Sequence, residues 1–311
     1  MMECLVRING VRKSFAATRA VDGLTLAVKK GELFGLIGPD GAGKTTLLRM
    51  LVTLLHPDEG AITVQGFDAV RNARSIRSIV GYMPQRFSLY PDLSIDQNLR
   101  FFADLFGVPA SEIEERKARL YRFSRLEQFA DRLAGKLSGG MKQKLALSCT
   151  LIHDPVLLVL DEPTTGVDPV SRTEFWAILR ELREQGVTIV VSTPYMDEAL
   201  LCDSVIIMHQ GKALASGAPR DLINQYPYPM YSLPHSKAGS ASGELEGIDG
   251  VISVQSFGDT LHITVREDIS ETVLSAAVQQ RLGTSTAIQR IEASFEDVFI
   301  RYILEGAHDG Q

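Results

Sequence analysis

The sequence predicts an α/β fold with an inserted helical region and a small α+β unit at its C-terminal end. Three observations predict it. Short apolar runs at 156–160 and 187–191 read as buried strands and are followed by helical periodicity. A third such run, ending at Ile37, leads directly into Gly38-Pro-Asp-Gly-Ala-Gly-Lys-Thr-Thr46, after which an apolar helical pattern begins at Leu47. From Pro91 to His153 the strand signal gives way to helices, and beyond Gln225 a stretch rich in Pro, Ser and Gly precedes a second set of elements.

The strand-loop-helix context makes 38–46 a phosphate-binding loop, with Gly38, Gly43, Lys44 and Thr45 at the spacing that loop requires. Glycines let successive backbone N–H groups turn inward on an anion, and the following helix aims its positive end at the same place. Gly38, Asp40, Gly41, Ala42, Gly43, Lys44, Thr45 and Thr46 are therefore the candidate contacts to a nucleoside triphosphate. Lys44 adds charge toward the outer phosphates and Thr45 a hydroxyl for Mg²⁺.

With 311 residues the chain has room for a large nucleotide-binding domain and a smaller partner. Lys and Arg total 32 against 38 Asp and Glu, a net charge of −6, which gives no electrostatic footprint for nucleic acid. Three cysteines without a close pair argue against a disulfide framework or zinc site. No signal segment is visible, and no apolar run approaches the ~20 residues needed to cross a bilayer.

In chain order, residues 4–8 and 24–28 alternate like strands. The segment Lys13-Ser-Phe15 between them reads as a polar loop, with Phe15 a candidate platform for a base. A buried strand over 32–38, a helix over 44–54, a turn at 56–60 and strands over 61–65 and 79–83 follow. Gln85 stands directly after the last of these, where an amide can reach a metal or a water near the phosphates. Helices are expected over 95–106, 111–123 and 139–153. Ser138 reads as the N-cap of the third, with Gly139 and Gly140 behind it, a second helix N-terminus fit for phosphate.

The strand 156–160 delivers Asp161 and Glu162 at its carboxyl end, where ligands sit in open α/β sheets. Asp161 is placed to hold Mg²⁺ with Thr45, and Glu162 to polarise an attacking water as general base. Thr165-Gly-Val-Asp168 makes a turn before a helix over 170–184, and strands over 187–191, 204–209 and 212–215 close the sheet. These boundaries give a nucleotide-binding domain over 1–225, with its helical part at about 86–153, a linker over 226–247 and an accessory domain over 248–311. In the last, a hairpin over 250–257 and 260–265 turns at Gly258-Asp259. A helix over 270–282, a strand over 286–291 and a final helix follow, the last with Phe295, Val298, Phe299 and Tyr302 as its core stripe.

Taken together, the loop at Gly38, Gln85, Leu137-Ser-Gly-Gly-Met141, Leu160-Asp-Glu-Pro163 and Gly166-Val-Asp168 resemble the ATP-binding subunit of an ABC transporter over about residues 6–225. With Ser294-Phe-Glu-Asp-Val-Phe299 the chain resembles the subfamily that powers multidrug and related export through ABC-2-type permeases. The resemblance implies ATP and Mg²⁺ as ligands, with Glu162, Gln85 and Lys44 catalytic, Thr45, Gln85 and Asp161 around the metal, and Phe15 under the adenine. It implies a head-to-tail pair of ATPase subunits, homodimeric or mixed, each ATP clamped between one phosphate loop and the other copy's Ser138, Gly139 and Gly140, with Asp168 reaching across. It also implies a peripheral position at the cytoplasmic face of the membrane, with a separate permease docking near residues 87–93. One position departs: where the family has a histidine for the γ-phosphate, this chain reads Val191-Ser-Thr-Pro-Tyr-Met-Asp-Glu198 with Pro194 at that place, and proline has no side-chain donor and no N–H. Either Glu162 alone supports turnover, or the chain is a nucleotide-gated clamp paired with a catalytically complete subunit. A soluble ABC-type ATPase of ribosomes or DNA would show two cassettes, a long coiled coil or a basic face, none of which is in the sequence.

Overall fold

The computed structural model describes residues 3–86, 89–234, 238–283 and 287–308. The chain divides into two units, Met1–Pro219 with residues from Arg301 onward, and Arg220–Ile300.

In the first unit, Cys4–Phe15 (β1) and Thr18–Lys29 (β2) form an antiparallel ribbon paired as far as Phe15 and Thr18. The loop expected at 13–15 is therefore strand. Reading apolar alternation ended the strand at Ile8, but Lys13 and the Ser14 amide are held from outside the ribbon, both by the Asp58 carboxylate. Leu33–Ile37 (β3) is buried at every position and feeds Lys44–Leu51 (α1). Glu59–Val64 (β4) and Phe67–Asp68 (β5) complete a four-stranded sheet ordered β2-β1-β4-β5. Ala73–Ile79 (α2), a helix not expected from the sequence, leads to Val80–Met83 (β6).

The inserted helices are Ile95–Leu105 (α3), opened by a capping box between Ser94 and Gln97, Ala110–Ser124 (α4) and Gly139–Leu151 (α5). Leu157–Asp161 (β7), Pro169–Glu184 (α6), Thr188–Thr193 (β8), Met196–Ala199 (α7), Ser204–His209 (β9) and Lys212–Gly217 (β10) follow. The main sheet runs β10-β9-β3-β8-β7-β6, parallel except for β10. The carboxyl ends of β3, β7 and β8 thus come out side by side, and the phosphate loop, Asp161-Glu162 and the Pro194 turn leave from those ends. One core lies beneath them: Val6, Ile8 and Leu24 of the ribbon, Leu47, Leu48 and Leu51 of α1, and Phe34, Leu36, Val159 and Val190 of the main sheet. Each such side chain contributes about 1.5–3 kcal/mol of burial, so α1 is pinned on one face while its N-terminus stays free for an anion.

The second unit corrects the expected linker. After Pro219–Asn224 (α8), Met230–Pro234 (β11) and Ala238–Glu246 (α9) occupy most of 226–247. With Val251–Phe257 (β12), Thr260–Val265 (β13) and Gln289–Ile291 (β14), β11 makes a sheet ordered β12-β13-β11-β14. Proline cannot donate to a strand ladder, which makes Pro227, Pro229 and Pro234 read as linker residues; Pro234 nonetheless pairs with Thr260 of β13. Here β14 pairs only with Met230, Tyr231 and Ser232, so Pro234 lies beyond its reach and needs no second partner. Glu271–Leu282 (α10) is capped by Ser270, and Phe295–His308 (α11) buries Phe295, Val298 and Phe299. Thr286, the expected start of the last strand, lies outside the described residues. No helix among the described residues is long and apolar enough to cross a membrane.

Candidate functional site

The phosphate loop and the Asp161-Glu162 pair meet in one buried polar cluster. Gly43, at φ +101°, lies so close to β2 that an added Cβ would sit 2.2 Å from the Ala20 carbonyl oxygen. Glycine is needed there for both reasons, and the close approach ties the loop to the ribbon. Lys44, 3% exposed, donates from Nζ to the carbonyls of Gly38 (2.7 Å) and Pro39 (3.0 Å) and lies 3.1 Å from Glu162 Oε1. Thr45 Oγ1 donates to Asp161 Oδ1 at 2.9 Å. Gln85 Nε2 donates to Glu162 Oε2 at 2.9 Å, and the Thr165 hydroxyl approaches the same oxygen at 3.5 Å. Lys44, Thr45, Gln85, Asp161 and Glu162, chosen from three separate stretches of sequence, are thus brought into contact.

Ser192 completes the cluster. Its hydroxyl donates to Asp161 Oδ1 at 2.8 Å and accepts from the Glu162 amide at 3.0 Å, so one side chain sets the spacing of both carboxylates. Glu162 has φ +49°, a left-handed conformation costly for a residue with a Cβ and held here by its surroundings. Burial pushes the Asp161 carboxyl above its ordinary range; hydrogen bonds from Ser192 and Thr45 oppose the shift, and the neighbouring Glu162 charge adds to it.

Asp161 Oδ2 is buried and has no hydrogen-bond partner. An orphaned carboxylate oxygen beside a threonine hydroxyl fits a hard divalent cation. No cluster of three or more His, Cys, Asp and Glu among the described residues could hold a metal. One carboxylate oxygen beside a threonine hydroxyl fits Mg²⁺, which keeps few protein ligands and takes the rest from phosphate and water.

A second group lies apart from the first. Ser138 accepts from the Met141 amide and caps α5; Asp168 accepts from the Ser171 amide and caps α6, and that amide holds its carboxyl below the ordinary range. The two helix starts abut, since a Cβ on Gly140 would meet Ser171 Oγ at 2.3 Å, whereas one on Gly139 would meet nothing within 4 Å. Ser138, Gly139 and Asp168 are exposed, and the side-chain hydrogen bonds of Ser138 and Asp168 stay within their own helices. Asp40 and Gly41 are exposed at the loop's tip, Ala42 is buried and Thr46 half-buried. Phe15 ends β1 with its ring 47% exposed and Lys13 Nζ 5.7 Å from the centroid, on the ribbon whose Ala20 backs Gly43. Of the segment 87–93, Phe87 and Ser88 lie outside the described residues; Tyr90 is exposed and packs on Phe101 at 4.4 Å between centroids.

Ser192 and Glu198 were missed by sequence reasoning, although both lie in the stretch noticed for Pro194. For Ser192 the available signal was the one that singled out Asp161, a polar residue at the carboxyl end of an apolar strand; Glu198, on the short helix α7, carries no such signal. Of the histidines, His153 stacks on Phe106 at 4.1 Å and makes its contact with the Val80 carbonyl, so it offers nothing toward Pro194.

Residues 21–165 match the family model described as ABC transporter. The chain is 48% identical over 224 residues to the "Probable multidrug ABC transporter ATP-binding protein YbhF" of Escherichia coli (strain K12), covering 71% of this chain and 39% of that protein. It therefore spans about two fifths of that relative's length. It is 39% identical over 300 residues to the "Nod factor export ATP-binding protein I" of Burkholderia pseudomallei (strain K96243), covering 94% of each. Among solved structures, the dimeric, post-hydrolysis state of the ATP-binding cassette MJ0796 bound to ADP and Pi is similar with a TM-score of 0.63 at 25% identity, over 68% of this chain and 98% of that one.

Proposed function

This chain belongs to the ATP-binding subunits of ABC transporters, and from that premise we propose that it is the ATP-hydrolysing motor of an exporter, pairing around two ATP molecules and driving a separate ABC-2-type membrane permease. The observation that carries the reading is the contact of Glu162 with both Lys44 and Gln85 beside the Thr45-Asp161 pair. The backbone amides of 38–45 and the start of α1 bind the phosphates, Lys44 exchanges its loop carbonyls for phosphate oxygens, and Phe15 stacks under the adenine. Thr45, Asp161 and Gln85 would hold Mg²⁺, which when bound neutralises charge on the β- and γ-phosphate oxygens. Glu162 takes a proton from a water whose oxygen bonds to the γ-phosphorus while the bridging P–O bond breaks, leaving ADP and phosphate.

The exposed caps at Ser138 and Asp168 support the pairing. In one chain they bind nothing beyond their own helices, and Ser138, Gly139 and Gly140 together with Asp168 are taken to close over the ATP of a second copy. The solved relative bound to ADP and Pi is itself dimeric. Exposed Tyr90, five residues after Gln85, supports docking of the permease there. The export names carried by the relatives, one for multidrug and one for Nod factor, support export without fixing the cargo.

A second reading rests on Pro194: a nucleotide-gated clamp with little turnover, paired with a complete subunit. Steady-state phosphate release by wild type beside Glu162→Gln decides between them. The motor reading expects a loss of at least ~10²-fold and accumulation of an ATP-bound dimer of the variant in sedimentation. Equal rates in the two proteins leave only the clamp.

A further inference from the structure

Glu198 of α7 is 1% exposed, and both of its carboxylate oxygens are in use. Oε1 accepts from the Thr164 hydroxyl at 2.8 Å and from Arg172 Nε at 3.1 Å; Oε2 accepts from the Thr193 hydroxyl. Thr164 and Thr193 are each 1% exposed. Arg172 lies in the first turn of α6, where its amide donates to the Asp168 carbonyl, and its guanidinium covers the Tyr195 ring at 4.2 Å.

A buried carboxylate with one arginine and two hydroxyls is commonly a structural lock, and burying such a pair gains little over an apolar core. The position of the two threonines goes further. Thr164 follows Glu162 by two residues. Thr193 follows Ser192, whose carbonyl and hydroxyl both accept from the Glu162 amide at 3.2 and 3.0 Å. Glu162 therefore stands between two short segments, and one oxygen of Glu198 grips each. Its left-handed φ of +49° needs neighbours that over-determine it, and these two grips supply them from either side. The Thr193 hydroxyl also accepts from the Tyr195 amide, so the same grip closes the turn at Pro194.

We propose that Glu198 is a positioning residue for ATP hydrolysis: it holds Glu162 in register for water activation by clamping Thr164 on one side and the Ser192-Thr193 strand end on the other. In a chain with proline at residue 194 the loss of such alignment has no histidine to mask it. The inference rests on the motor reading above.

Glu198→Gln keeps the shape of the side chain but can accept on only one oxygen and loses its charge against Arg172. The expected result is a fall in kcat of about tenfold or more with KM for ATP within about twofold, since only alignment in the transition state is lost. In the Glu162→Gln background the same change should lower the residual rate no further and leave ATP-driven dimerisation unaltered, because residues acting as a unit are not additive. Thr164→Val, which leaves the Glu198–Arg172 pair intact, should reproduce the kcat loss and serves if Glu198→Gln does not fold. An unchanged kcat, a matching rise in KM, or the same fold-loss in both backgrounds overturns the proposal. If wild type and Glu162→Gln turn over ATP equally, the motor reading itself fails and takes this one with it.

Discussion

The chain carries two polar groups at helix starts, and they are built in opposite ways. Around the start of α1 the functional atoms are sealed: Lys44, Asp161 and Glu162 are 3%, 1% and 6% exposed, and, Asp161 Oδ2 excepted, their polar side-chain atoms are taken up by one another, by the loop carbonyls and by Thr45, Gln85 and Ser192. At the starts of α5 and α6, Ser138, Gly139 and Asp168 face solvent and cap only their own helices. A buried charge cluster must be internally satisfied or the fold suffers, so every group in it is fixed by folding alone. Exposed caps carry no such demand, and their geometry is free to suit a second molecule. The first group can thus be altered only at a cost to stability or chemistry, and the second should be alterable with the fold intact.

The largest effect that sharpens this contrast is expected for Asp161→Asn. Mg²⁺-dependent phosphate release should fall at least ~10²-fold, measured at saturating ATP. Folding should improve, because burial raises the Asp161 carboxyl and its charged form is a penalty in the native state. A raised carboxyl costs stability above its folded pKa and stops costing as pH falls through it. The variant's gain in melting temperature, roughly 2–4 °C at neutral pH for each 1 kcal/mol relieved, should therefore vanish in acid. A variant that melts lower than wild type at pH 7 breaks the claim that this cluster trades stability for function.

Next in size are the paired glycines. Gly140→Ala brings a Cβ to 2.3 Å from Ser171 Oγ and 2.5 Å from its Cβ, and overpacking of that kind costs about 1–3 kcal/mol. Gly139→Ala meets nothing within 4 Å. Thermal melts should show a drop for the first and none for the second, while ATP-driven dimerisation of the Glu162→Gln protein should weaken for Gly139→Ala as well. Dimerisation unmoved by Gly139→Ala would mean that the open helix start does not face a second copy. The smallest effect is expected for Pro194→His: a rise of a few-fold in phosphate release if the missing donor limits turnover, and no change if alignment by neighbouring residues already suffices.

The architecture was readable wherever apolar runs were continuous. Residues 33–37 and 157–160 read as buried strands, and the phosphate loop between β3 and α1 followed from glycine spacing together with the strand before it and the helix after. The site was readable as residue types at strand ends, so Asp161 and Glu162 were found, yet their joint dependence on Ser192 was not. Hydrogen bonds across parallel strands depend on register, and Asp161 faces Ser192 only because β7 and β8 align Leu160 with Val191. Strands that alternate polar side chains escaped detection, as at Lys13 to Phe15. So did β11, whose terminal proline looks like a linker residue although it pairs with Thr260 of β13; β14, on the other side, stops short of it.

Lys44 holds a last consequence. Its ammonium is stripped of water during folding, against the Gly38 and Pro39 carbonyls and the Glu162 carboxylate. An arriving triphosphate meets a cation already dehydrated, and takes it over by exchanging one set of oxygen neighbours for another. Removing that amine before any nucleotide arrives would take from Glu162 the nearest cation in its buried setting, so the lysine that greets the ligand also holds its carboxylate neighbour in place.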